Sequence, residues 1–352
     1  MIVDPMILEG AVALVKIGIL LGVVFTTVAY LTFMERRVSA MIQDRLGPNR
    51  VGPLGLLQPL ADGIKFMWKE EFIPASADRT LFAIAPALIL VPALLIFAVI
   101  PVGGEVTIPA FTLFGLHIQE TTTSLQIIDL NVGILYILGM TSIAVYGIAL
   151  GGWSANNKFT LLGGIRSSAQ MISYELSLGL SIVGILMLTG SLQMSRIVDA
   201  QGAFLDWFIF RQPLAFLIFV IAAFAENNRL PFDLVECEQE LVGGFHTEYS
   251  SMRFSMFMIA EYASMIAASA LMATLFFGGW HMPFEDLVGP GLVTLYQVAG
   301  FLVKTGFFLF LYIWVRWSLP RFRYDQLMAI GWKVLLPLAL LNVVFTAIWM
   351  LV

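Results

Sequence analysis

Between Glu226 and Glu248 the chain sets six acids, Glu226, Asp233, Glu236, Glu238, Glu240 and Glu248, against a single fixed cation, Arg229. Crowded carboxylates raise one another's proton affinity, so members of such a cluster can exchange protons near neutral pH. On a helix Glu236 and Glu240 would share one face, with Glu238 roughly opposite. A solvated acidic loop that docks a basic partner would have the same composition, and both readings stand. Two further carboxylates, Glu175 and Glu261, fall inside long apolar runs, about 20 Å and about 12 Å along them at roughly 1.5 Å per residue. An ionised side chain at mid-bilayer costs roughly 2.5–3.5 kcal/mol, so such acids mark proton or ion routes or are held in structural ion pairs. Lys304, near mid-depth of another run, is the natural counter-charge for them.

The elements that must carry these groups follow from composition. Of the 352 residues 59% are hydrophobic and 12% charged, and the mean hydropathy is +0.89, well away from soluble domains. Apolar runs of bilayer length recur throughout, which predicts an all-α polytopic membrane protein forming one integral domain over 1–352. Spans are expected near 8–34, 80–101, 127–151, 165–190, 212–227, 253–278, 292–317 and 332–352. The first run is too long, and lacks the preceding basic residues, to be a signal peptide, and reads as a retained helix. Fifteen of the 19 Lys and Arg lie in or beside one alternating set of loops, about 35–79, 152–165, 228–253 and 318–331. Those long, structured loops should be cytoplasmic, which puts both termini on the outer side.

Several function classes are excluded. The only cysteine is Cys237, and the three histidines, His117, His246 and His281, divide between the two membrane sides. The chain therefore cannot build an iron–sulfur cluster or a bis-histidine haem site, and no metal site is expected. A net charge of −5 with no basic stripe argues against nucleic-acid binding. An autonomous ion carrier stays as a rival that is weakened, since no internal repeat or pair of broken hydrophobic segments stands out; it predicts transport by the purified chain alone.

In the first loop, Gly47, Pro48, Asn49, Gly52, Pro53 and Gly55 impose turns. Beyond them Leu57, Leu60, Ile64, Met67 and Trp68 recur at helical spacing, with Asp62, Lys65 and Lys69 elsewhere around the wheel. This predicts an amphipathic interfacial helix beginning near Gln58, so that Pro59 falls in its first turn. Such a segment could serve stability alone. Arg36, Arg45 and Asp62 beside its apolar face would also make a cleft for an amphipathic headgroup such as a quinone.

Four stretches carry a family resemblance: ERRVSAMIQDRLGPNRVGPLGLLQPLADGIKFMWKE from Glu35, GWSANNKFTLLGGIRSSAQMISYE from Gly152, AENNRLPFDLVECEQELVGGFHTEY from Ala225 and RFRYDQLM from Arg321. In order and over nearly the whole chain they resemble the H subunit of bacterial NADH:quinone oxidoreductase (respiratory complex I), the counterpart of mitochondrial NADH dehydrogenase subunit 1. The resemblance implies an eight-span subunit of the bacterial inner membrane, inactive alone and with no redox centre of its own. Quinone would be its substrate, with FMN and iron–sulfur clusters in partner subunits. Those partners would be the peripheral-arm quinone-site subunits carrying the terminal cluster, small membrane subunits, antiporter-like subunits and lipids. It further implies that Glu35, Arg36, Arg45 and Asp62 line the quinone tunnel or its junction. Arg229, Phe232, Asp233, Glu236 and Glu238 would lie beneath the headgroup, while Tyr174, Glu175, Glu226 and Glu261 lead protonic coupling into the membrane. Glu240 and Lys304 belong to the same relay set by the residue argument above. The alternative is the related membrane subunit of a hydrogenase or ferredoxin-linked complex without a working quinone site. One departure stands out: Cys237 occupies a position between two glutamates where the family usually has glycine.

Overall fold

A computed structural model describes residues 5–113, 116–118, 120–233, 242–289 and 291–351. Glu236, Cys237, Glu238 and Glu240 lie outside the described residues. The helices are α1 (Pro5–Ile42), α2 (Gln58–Trp68), α3 (Arg79–Leu95), α4 (Gly133–Ser154), α5 (Lys158–Thr189), α6 (Met194–Asp199), α7 (Phe208–Arg211) and α8 (Pro213–Glu226). They continue with α9 (Ser251–Phe276), α10 (Val293–Ser318), α11 (Tyr324–Ile330) and α12 (Leu336–Leu351), the last two joined through a π-helical turn, Gly331–Leu335.

Seven helical segments among the described residues are long and apolar enough to cross a membrane, matching every expected span except the fifth. That one, α8, has 14 residues and covers only about 21 Å. Its Ala215, Ile218, Phe219, Ala222, Ala223, Phe224 and Ala225 are buried, so most of one side packs against neighbouring helices, while Leu217 stays exposed. Likewise Leu14, Tyr146, Leu295, Phe307, Phe345 and Trp349 are exposed on α1, α4, α10 and α12, as expected of a surface solvated by acyl chains.

The helices alternate between two faces. One carries the Arg- and Lys-rich loops and is the arginine-rich face; the other carries 99–132, 190–212 and 277–292. The expected loop boundaries need correction. Glu35 and Arg36 belong to α1, which runs to Ile42 before the turns begin. The loop expected at 152–165 is only three residues long, because Asn157 accepts a hydrogen bond from Phe159 N at 3.0 Å and starts α5 at Lys158. Close approach of α4 and α5 requires glycine there: a Cβ on Gly152 would stand 2.6 Å from Thr160 O. The final span likewise begins early, at Tyr324.

The first-loop helix forms as expected, with Pro59 in its first turn and Leu60, Met67 and Trp68 exposed. The opposite face holds strands that the hydropathy reading did not anticipate. Here β1 (Glu105–Ile108) pairs with β4 (Thr121–Ser124), and β2 (Phe111–Leu113) with β3 (Leu116–Ile118), all antiparallel. Lys16 of α1 pins this ribbon, its Nζ donating to Thr123 Oγ1 at 2.6 Å, Ser124 O at 2.7 Å and Gln126 O at 3.1 Å.

Candidate functional site

The buried charges converge on Arg229, in the loop that follows α8. Its side chain is 6% exposed. Nη1 lies 3.3 Å from Glu35 Oε1 and Nε lies 2.8 Å from Glu261 Oε1. The guanidinium also rests 4.5 Å over the Tyr262 ring, a favourable cation–π placement. Burial works against this cation, but Glu261 and then Glu35 outweigh it and hold its pKa above the ordinary arginine range. Glu35, on α1, also accepts from Tyr262 Oη at 2.7 Å and from Arg316 of α10. Two carboxylates are thus held in the protein interior by two guanidiniums and a phenol. The planar fork of donors presents Nη1 to one acid and Nε to the other in a fixed relative orientation.

The adjoining loop is built on aromatic contacts. Phe232 stacks on Phe322 with ring centroids 5.5 Å apart and meets Tyr174 at 5.6 Å. Gln170 of α5 donates to Ala225 O at 2.7 Å and to Phe232 O at 2.9 Å, tying the loop to the helix. Asp233, 4% exposed, lies 3.3 Å from Arg321 Nη2. Tyr174 is fully buried and donates to Leu327 O at 2.9 Å, beside the π-helical turn.

Beneath Arg229 a cavity runs between α3, α4, α5, α8 and α9, offering about 110 Å³ to the centres of water molecules. Its walls are mainly apolar, among them Ile89, Ile137, Met171, Phe219, Phe257 and Leu271. Its polar lining comprises Thr141, Glu226, Asn227, Asn228, His246, Glu261 and Ser264. Glu226 meets the Thr141 hydroxyl and lies close enough to Glu175 for the two charges to repel. Glu175 in turn accepts from Ser142. Glu261 of the arginine node and Glu226 therefore line one cavity, and Glu175 adjoins Glu226.

The first-loop residues form a separate, exposed group. Arg36 pairs with Asp62 at 2.8 Å, and Asp62 also takes Lys65 at 3.3 Å. Arg45 is exposed beyond the end of α1, its N–H closing onto Ala40 O at 2.8 Å.

Two expectations are corrected. Lys304 is not placed as the counter-charge of Glu175 and Glu261. Its ammonium donates to Phe277 O at 2.8 Å, Gly279 O at 3.0 Å and His281 O at 2.5 Å, and sits 4.4 Å over Trp207, towards the opposite face. Nor is Arg229 the only cation facing the acidic segment, since Arg321 reaches Asp233 from a distant chain position, and Arg316 joins Arg229 on Glu35 of α1. Residue reasoning also missed Tyr262, Thr141, Ser142 and His246. Tyr262 follows Glu261 directly and His246 lies within the acidic segment, two residues before Glu248, a proximity that could have flagged both. Among the described residues no group of three or more His, Cys, Asp or Glu could hold a metal ion.

Fold and site together define a multi-pass membrane protein whose interior carries a paired charge node opening onto a carboxylate-lined cavity. Comparison with known sequences places it further. The family described as NADH dehydrogenase matches residues 15–347. The chain is 54% identical over 347 residues to the first H-type chain of the NADH-quinone oxidoreductase of Geobacter metallireducens, covering 99% of this chain and 98% of that one. It is 55% identical to the second H-type chain of the same enzyme in Geobacter sulfurreducens, covering 98% of each. It is 49% identical to NADH-quinone oxidoreductase subunit 8 of Rhodothermus marinus, covering 94% of each. The chain belongs to the NADH dehydrogenase family.

Proposed function

We propose that this chain is the quinone-chamber subunit of a proton-translocating NADH:quinone oxidoreductase, coupling quinone reduction to proton movement through its buried carboxylates. The observation that carries this reading is the Arg229 node, where one buried guanidinium serves both Glu35 and Glu261 while Glu261 also lines the cavity reached by Glu226. The names of the relatives support the same complex. The arginine-rich face would be cytoplasmic and would receive the peripheral-arm subunits, with the membrane-arm partners alongside and both termini on the outer side of a bacterial inner membrane.

Partners supply two electrons, and the quinone takes up two protons to become the quinol. Reduction beside Phe232 and Asp233 places negative charge near Arg229 before those protons arrive. That charge competes with Glu261 and Glu35 for the guanidinium, and a carboxylate whose cation is drawn away gains proton affinity. Proton uptake at Glu261 then alters the field at Glu226 and Glu175, the next acids inward. Arg36, Arg45 and Asp62 would meet the headgroup at the membrane surface, and Glu236, Glu238 and Glu240 would complete the acidic loop.

The test is assembled complex carrying Glu226→Gln or Asp233→Asn, expected to be present in normal amounts with depressed quinone-linked turnover. Wild-type turnover in both would sink the reading. Insensitivity of the assembled enzyme to quinone analogues would instead favour a hydrogenase or ferredoxin-linked relative without a working quinone site.

A further inference from the structure

His246 has no part in the scheme above, yet it stands where the loop of Asp233 meets the carboxylate cavity. It ends a single turn, Gly244–His246, that is seated directly on α5. A Cβ on Gly163 would lie 2.9 Å from Gly244 Cα and from Phe245 N, so backbone meets backbone there. Gly244 has φ +69°, which a side chain would strain. The imidazole packs edge-on to Phe245 with centroids 5.1 Å apart and against Phe254 at 5.4 Å. Its position is thus set by ring contacts.

Nδ1 is buried and has no hydrogen-bond partner among the described residues. Buried polar atoms of this kind are ordinarily satisfied, by ordered water where no side chain reaches. The ring lines the same cavity as Glu226 of α8, Asn228 of the following loop and Glu261 of α9, and it feels the charge of Asp233. About 110 Å³ is open to water centres, against roughly 10–15 Å³ for one water, so several waters can join the ring to both carboxylates. Burial pushes the imidazole down to about 4, with Asp233 opposing. At neutral pH the ring is therefore uncharged, with one nitrogen carrying a proton and the other able to accept one.

Resting on the proposed coupling role, we infer that His246 is a proton-transfer residue linking the Asp233 loop to the Glu226 and Glu261 cavity. One ring nitrogen takes a proton from water on one side while the other releases its own to water on the far side. The ring ends as neutral imidazole in the opposite tautomer, and a half-turn of the ring, with no proton passing back, resets it for the next cycle. No oxidant or reductant is consumed.

The experiment uses the assembled complex with His246→Gln, His246→Phe, His246→Ala and, in parallel, Glu226→Gln. NADH oxidation by ferricyanide normalises each preparation, since that electron entry lies upstream of this chain. The expected result is an unchanged ferricyanide rate, at least a tenfold fall in kcat for quinone in His246→Gln and His246→Phe with little change in KM, and partial recovery of His246→Ala by added imidazole. Wild-type turnover in the His246 variants, with Glu226→Gln depressed, overturns the inference and leaves the coupling reading intact. Wild-type turnover in all of them overturns both. A raised KM without imidazole recovery assigns His246 a structural role and also overturns the inference. Should His246→Phe fail to assemble, His246→Gln decides.

Discussion

Arg229→Met keeps an apolar stem of similar length but removes the cation that Glu35 and Glu261 share. The two acids do not suffer equally. Glu35 retains Arg316 and the Tyr262 hydroxyl, whereas Glu261 loses the guanidinium 2.8 Å away. Breaking a buried pair by removing one partner costs about 3–5 kcal/mol. The Glu261 side chain is 23% exposed, so water recovers part of that, and about 3 kcal/mol is expected. For 352 residues, at roughly 2.1 cal/mol/K of unfolding entropy per residue, this corresponds to about 4 °C in Tm. Arg229→Met combined with Glu261→Gln removes both charges and should regain much of the loss, giving a coupling energy of about 1–3 kcal/mol. The assay is thermal denaturation of this subunit within purified complex, for wild type, both single variants and the double. The reasoning is refuted if Arg229→Met leaves Tm unchanged, or if the double variant is no more stable than Arg229→Met alone.

Four other outcomes follow from the same geometry. Tyr262→Phe deletes the 2.7 Å hydrogen bond to Glu35 and should cost about 1.5–3 kcal/mol, the range for a bond to a charged group, read by the same denaturation assay. Lys304→Met strips the cation held by Phe277 O, Gly279 O and His281 O, so it should lower the yield of assembled complex while quinone turnover per assembled complex stays normal; lost turnover at normal yield would return Lys304 to the relay. Gly163→Ala forces a Cβ against the Gly244 backbone at 2.9 Å and should destabilise by about 1–3 kcal/mol, measured by Tm. Burial holds His246 at about 4 in the folded chain against roughly 6.5 unfolded, so the unfolded chain binds more protons between those values. Stability is then present above about pH 6.5 and lost as pH falls towards about 4, by about 3 kcal/mol, and His246→Gln should flatten that acid limb of a Tm-against-pH curve.

Much of the architecture was legible because a bilayer imposes a simple rule: backbone polar groups must be satisfied within the segment, so length and apolarity nearly define a spanning helix. The 352-residue chain obeys it in every expected span but α8, whose 14 residues fall short of the length criterion and bury only part of their surface against neighbouring helices. Loop boundaries were harder to read because they turn on single caps and close glycine contacts. Asn157 begins α5 well before hydropathy does, and Gly152 lets α4 and α5 meet where a polar loop was expected. The strands of the 99–132 segment depend on pairing partners and on Lys16 from α1.

Sequence by itself determined that ionisable groups are embedded in apolar helices and that an acidic segment adjoins them, because residue type and spacing along one helix are local facts. Pairing was decided by the tertiary structure alone. Glu35 meets Arg229 across 194 residues and Arg316 across 281, and no periodicity reports a contact between helices so far apart. Lys304 shows the reverse case: mid-depth suggested an acid as partner, yet packing delivered it to three backbone carbonyls. A charge in a low-dielectric interior takes whichever acceptor the fold brings within about 3 Å, and that choice exists only once the helices have packed.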